Sequence, residues 1–115
     1  MRTYKAVFSD IDGTLLTSEH IVSTATIEAI ASLQKKNIPF VIISSRSASC
    51  IYPILKKHHF QCPIVACGGA WIEDMNGRIL SNEGMSRQTA ATVIEFMTEF
   101  RSRMGHLFRK ELDYK

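Results

Sequence analysis

The sequence is poor in cysteine, with three residues and no C-x-x-C pair. An odd count without that spacing excludes a fully paired disulfide framework and a zinc knuckle, and points to a reducing compartment. Long hydrophobic runs are missing too. The longest, such as "FVII" at 40–43, fall far short of the roughly 20 residues of a membrane span. The opening "MRTYKAVFSD" lacks the apolar stretch of a signal peptide, so a cytoplasmic location is the expectation. A strong charge of one sign is also lacking, since 14 Lys and Arg against 11 Asp and Glu leave a net +3. The basic residues, Lys35–Lys36, Lys56–Lys57 and Arg101 among them, are scattered and not interleaved with aromatics. That pattern describes solvated helix faces, with no nucleic-acid or membrane partner. Internal repeats and low-complexity segments are absent.

What is present is an ordinary globular composition, 45% hydrophobic and 22% charged over 115 residues, enough for one domain. Strand and helix signals alternate along it. Residues 4–9, "YKAVFS", read as a buried strand. A helix over 24–36 carries Ile27, Ile30, Ala31 and Leu33 at helical spacing and stops at Asn37 and Pro39. "PFVIIS", 39–44, is a β-branched run of the kind expected to lie buried on both faces of a parallel sheet. A second helix follows, with Pro53 expected to kink it or mark its first turn, and "PIVAC", 63–67, is a third strand. Two short runs about Met75-Asn76-Gly77 form a hairpin signal. A long amphipathic helix opens near Ser86, with Ala90, Val93, Ile94, Met97, Phe100 and Met104 as its apolar stripe. The tail "HLFRKELDYK" is expected to begin another strand. Strand, helix, strand, helix, strand with short connections predicts a doubly wound α/β fold on a parallel sheet.

The chemistry concentrates at "SDIDGT", 9–14. Ligands of such sheets bind beyond the carboxyl ends of the strands, and Asp10 stands at that end of the first strand. If extended geometry persists, Asp10 and Asp12 point the same way and share one small space. Two carboxylates that close repel, and recruit a cation or hold a proton. Magnesium takes oxygen ligands and bridges carboxylate to phosphate, while Gly13 allows unusual backbone angles and close approach of a ligand. The second strand ends in Ser44, Ser45 and Arg46, which offer hydroxyls and a guanidinium fork ahead of a helix N-terminus, an anion-binding arrangement.

"DIDGTLL" resembles the first motif of the haloacid dehalogenase superfamily of phosphohydrolases, in the Cof-type branch that carries a large α/β cap. "VIISSR" resembles that branch's second motif, and "ACGGAWIED…GRIL" its third-strand loop and hairpin. The resemblance implies a Rossmann-like three-layer core over 1–84, incomplete at its C-terminal side, and a helix and strand over 85–115 leading into a truncated cap. It implies Asp10 as nucleophile, through an aspartyl phosphate, and Asp12 as general acid/base. Magnesium would sit on the Asp10 carboxylate and the Asp12 carbonyl. Thr14 would orient the loop and, with Ser44 (through hydroxyl and backbone N–H), Ser45 and Arg46, would bind phosphate. Gly68 and Gly69 would form the third loop.

Ser44 and Ser45 replace the usual Thr-Gly, and Gly68 a usual asparagine. The lysine and second acidic pair that the family places later do not occur, and Lys110 and Asp113 stand at the wrong place in the fold order. The expectation is therefore the first part of a longer enzyme acting on a small phosphorylated metabolite such as a sugar phosphate. The alternative is a catalytically incompetent phosphate-binding or interaction module. A response-regulator receiver is set aside, because "CGGA" after the third strand offers no phosphoacceptor acid. In the family's sheet the first strand is central, so an uncovered first strand here is expected to drive self-association.

Overall fold

The protein is described by a computed structural model covering residues 2–112, with side chains to residue 101. It divides between Glu83 and Gly84 into two units.

In the first unit three hydrophobic runs become parallel strands, β1 (Val7–Ser9), β2 (Phe40–Ile43) and β3 (Ile64–Ala66). The hairpin β4 (Trp71–Glu73) and β5 (Ile79–Asn82) continues the sheet antiparallel, in the order β1-β2-β3-β4-β5. Val7 lies beside Phe40 and Ser9 beside Ile42, and Ile42 in turn beside Ile64. β1 is shorter than the expected 4–9, because its ladder begins only where the Val7 N–H reaches the Pro39 carbonyl at 2.8 Å.

Two helices connect the parallel strands, α1 (Thr24–Lys35) and α2 (Ala48–Lys57). Ser23 caps α1, its hydroxyl accepting from the Thr26 N–H at 3.2 Å. Both helices stop by the same device. Asn37 (φ 55°) and His59 (φ 54°) take the left-handed conformation. The next residue then reaches back, Ile38 N–H to the Leu33 carbonyl at 3.0 Å and Phe60 N–H to the Leu55 carbonyl at 3.2 Å. Of the two expectations for Pro53, a kink or the first turn, the second fails, since it lies inside α2. The donor it lacks would have served Ser49, and both residues are exposed, so water can replace the lost bond.

Ile30 of α1 and Ile51 of α2 pack with Phe40, Ile42, Ile64 and Ala66 in one cluster. Both helices therefore cover the same face of the sheet, and strand alternation sends Phe8 and Ile43 to the other, where Phe8 is 61% exposed. Cys62 is buried in the covered core, and burial raises its thiol pKa to about 11. His58 packs as well, its Nε2 accepting from the Val22 N–H at 3.3 Å.

The second unit is a single helix among the described residues, α3 (Arg87–Leu112). Ser86 caps it, accepting from the Thr89 N–H at 3.1 Å. The strand expected in "HLFRKELDYK" is thus overturned as far as Leu112, where Leu, Arg, Lys and Glu favour helix and nothing breaks it. Asp113 and the Met104 side chain lie outside what is described. Val93, Ile94, Met97 and Phe100 of the expected stripe are exposed. Among the described residues no helix is long and apolar enough to cross a membrane.

Ile42 is fully buried at the centre of the parallel strands. Ile42→Ala should cost about 2–5 kcal/mol, seen as a lower urea midpoint with an unchanged slope in equilibrium denaturation.

Candidate active site at the carboxyl ends of the parallel strands

Parallel pairing brings the ends of β1, β2 and β3 to one edge of the sheet, and three loops leave from there. The first is a tight turn. Strand geometry stops at Ser9, and Asp12 (φ −73°, ψ 122°) and Gly13 (φ 74°, ψ 4°) take the two central positions of a type II turn. Only glycine adopts that second position without strain, which accounts for Gly13. Leu15 N–H donates to the Asp10 carbonyl at 3.2 Å and Leu16 N–H to the Ile11 carbonyl at 3.1 Å. Ile11, Leu15 and Leu16 anchor the turn in the core, leaving Asp10, Asp12, Gly13 and Thr14 exposed.

Asp10 and Asp12 are both exposed on either side of buried Ile11, and they differ in the partners their carboxylates hold. Asp10 accepts the Ile11 N–H on Oδ1 at 2.8 Å, and its Oδ2 has no hydrogen-bond donor among the described residues. Asp12 is held by Arg46 from the second loop. Nε donates to Oδ2 at 2.9 Å and Nη2 to Oδ1 at 2.6 Å, a bidentate fork across the gap between loops. That hydrogen bonding, foremost, holds the Asp12 carboxyl below the usual carboxylate range, and the same pairing raises Arg46. The Arg46 guanidinium, expected to meet phosphate, is engaged by a carboxylate instead.

Ser44 is 8% exposed. Its N–H donates to the Val65 carbonyl at 2.9 Å, so the expectation that this N–H binds phosphate is corrected: the β2–β3 ladder consumes it. The hydroxyl accepts from the Arg46 N–H at 3.0 Å and keeps its own proton for another acceptor. Ser45 is exposed beside it. The third loop is tied to the second, Cys67 N–H to the Arg46 carbonyl at 2.8 Å and Gly68 N–H to the Ser44 carbonyl at 3.0 Å. Cys67, Gly68 and Gly69 all have positive φ, which suits the two glycines. The left-handed, exposed Cys67 carries no sequence signal of that geometry.

For a hard cation the oxygen donors here are Asp10 Oδ2 and main-chain carbonyls. Among the described residues no group of three or more His, Cys, Asp or Glu could hold a metal ion. Magnesium keeps several waters and needs only one or two carboxylates alongside a substrate phosphate, and one carboxylate with an open oxygen fits that demand.

Sequence reading missed the partners of Trp71. Its ring packs against the core of the first unit, and its Nε1 donates to buried Glu73 at 2.7 Å. The one acid in "WIE" was the available signal.

A profile of haloacid dehalogenase-like hydrolases matches residues 7–112. The chain is 48% identical over 73 residues to a candidate phosphatase of Haemophilus influenzae, covering 64% of this chain and 28% of that protein. It is 26% identical over 98 residues to the pyridoxal phosphate phosphatase YbhA of Escherichia coli, covering 84% and 36%. Its fold superposes on a haloacid dehalogenase-like hydrolase of Bacillus subtilis with a TM-score of 0.80 at 26% identity, over 84% of this chain and 34% of that one. The chain thus spans about a third of the length of the relatives it matches.

Because its folded pKa is depressed, Asp12 contributes stability that is present above its unfolded value and lost as pH falls through the folded one. Arg46→Ala should move the Asp12 titration up toward the ordinary carboxylate range, read by carbon NMR of the carboxyl. An unmoved midpoint would mean that the pair does not persist in solution.

Proposed function

The chain belongs to the haloacid dehalogenase-like hydrolase family, and from that premise we propose that it carries the nucleophile and phosphate-binding loops of a magnesium-dependent phosphohydrolase. The observation that supports this most is the Asp12–Arg46 fork. It draws the loops after β1 and β2 together beside Asp10, whose second carboxylate oxygen is left open.

In this reading the Asp10 oxygen attacks phosphorus, forming an acyl phosphate as the ester P–O bond breaks, and the leaving alkoxide takes a proton from the Asp12 carboxyl. Asp12 then takes a proton from water, whose oxygen attacks phosphorus. Cleavage of the acyl phosphate returns the Asp10 carboxylate and inorganic phosphate. Asp12 can hold that first proton only once Arg46 lets go of it. A dianionic phosphate is the natural competitor for the guanidinium, so substrate arrival would exchange one fork for another. The Ser44 hydroxyl would donate to a phosphate oxygen, with Ser45 at its side, and the N-terminus of α2 adds favourable potential. Thr14 closes the turn that presents both acids, and Gly68 and Gly69 leave the third loop without bulk. Magnesium on the Asp10 carboxylate and the Asp12 carbonyl would offset repulsion between anionic nucleophile and anionic phosphate. The substrate class is a small phosphorylated metabolite, and the three free cysteines accord with a cytoplasmic setting.

Calorimetry with magnesium and beryllium fluoride should show binding that Asp10→Asn abolishes. Binding retained in that variant would refute the assignment of Asp10.

Self-association belongs to the same proposal. β1 ends the sheet, and in parallel pairing Val7 and Ser9 bond toward β2 while Phe8 turns its N–H and C=O to the open edge. Light scattering after size exclusion should give a dimer or larger at micromolar concentration. Phe8→Pro, which removes only the outward donor, should return it to monomer. A wild-type monomer would overturn the idea.

A further inference from the structure

A groove of about 900 Å³ lies on the helix-covered face of the first unit, with Ile27, Ala31, Tyr52, Leu55, Glu73 and Asp74 among its lining. It is remote from the phosphate end. Glu73 pairs with Ile64, where β3 begins, whereas the third loop of the candidate active site leaves after Ala66, where β3 ends.

Glu73 is the unusual member, an acid only 4% exposed. Burying a carboxylate costs several kcal/mol unless its oxygens are satisfied, by the usual order of magnitude. Here the satisfaction is lopsided. Trp71 Nε1 donates to Oε1 at 2.7 Å, and the Tyr52 hydroxyl donates to the same oxygen. Oε2 receives no donor among the described residues. It is not sealed away either, since no side-chain oxygen or nitrogen there is both fully buried and unpartnered. What remains is a carboxylate oxygen without a donor, not wholly sealed, on a residue that lines the groove.

The surroundings narrow what could occupy it. Charged lining consists of Glu73 and Asp74 against Lys56, and Asp74 Oδ1 is already taken by the N–H groups of Asn76 and Arg78 at 2.8 and 2.9 Å. Asp74 Oδ2, like Glu73 Oε2, has no donor among the described residues, but Glu73 is the buried acid of the two, where attraction to a cation is least screened by water. A hydrated metal ion would gain nothing from the apolar side chains that share the groove with Glu73. The other walls, Ile27, Leu55 and Phe60, are apolar and suited to a hydrocarbon body. We propose that this groove binds a small organic ammonium ion, its N–H donating to Glu73 Oε2 and its apolar part lying against Ile27, Leu55 and Phe60. Tyr52 and Trp71 are then positioning residues, fixing the carboxylate by its other oxygen.

The test uses the full 115-residue chain and two probes of nearly the same shape, 2-phenylethylammonium and 2-phenylethanol, followed by calorimetry. A charge-assisted hydrogen bond predicts at least about tenfold tighter binding of the ammonium. Glu73→Gln should erase that preference, and Lys56→Glu, an exposed change that removes a rival cation, should tighten the ammonium about threefold and leave the alcohol unchanged. Asp10→Asn should alter neither, which separates this site from the phosphate end. Equal affinity for both probes, no binding of either at millimolar concentration, or a preference that survives in folded Glu73→Gln would each overturn the proposal. Should Glu73→Gln not fold, the Lys56→Glu comparison decides, and unchanged ammonium affinity there overturns it.

Discussion

Parallel pairing of three short strands is the constraint on which the candidate site depends. Val7, Phe40 and Ile64 start the strands at one edge, so the chain must leave β1, β2 and β3 at the other, and residues far apart in sequence meet there. Arg46 makes most of the contacts in that meeting. Its side chain grips Asp12 in the first loop, its carbonyl accepts from Cys67 in the third, and its N–H rests on Ser44. One residue thereby spans three loops. A lysine could offer the charge but not the fork.

The two aspartates are made unequal by their backbone more than by their type. Asp10 ends a strand, spends one oxygen on its neighbour's N–H and keeps the other open. Asp12 occupies a turn and gives both oxygens to a guanidinium. Nucleophilic and proton-transfer roles need such a difference, because a nucleophile must stay ionised while its partner changes protonation. The Arg46 pairing favours the ionised form of Asp12, so in the proposed reaction that pairing must open before Asp12 can hold a proton.

Much of the sheet was legible in the sequence, because apolar runs such as Phe40–Ile43 are bounded by loop residues, but the burial of both faces that such a run suggests is not met, since Ile43 is 39% exposed. Gly13 was legible for the same physical reason that the turn needs it. Side-chain partnerships were not. Ser-Ser-Arg ahead of a helix advertises anion binding, yet whether Arg46 faces solvent or Asp12 depends on a turn 34 residues away. Ser44's N–H looked available only because strand register, which assigns it to Val65, is a property of pairing and not of either segment alone. The helical tail failed as a strand because "HLF" suggests one locally, while the longer window through Lys110 and Glu111 favours helix.

Strand order along the sheet repeats strand order along the chain, and this bears on how the molecule is made. Each strand waits only for its immediate successor, so loop closures are short and their entropy cost is met step by step. During vectorial synthesis β1 can dock on β2 as soon as α1 has passed, and β3 follows α2. The acid-bearing turn, the arginine loop and the glycine loop therefore reach their final neighbours within the first 69 residues. The candidate site can take shape as soon as that stretch is free to fold.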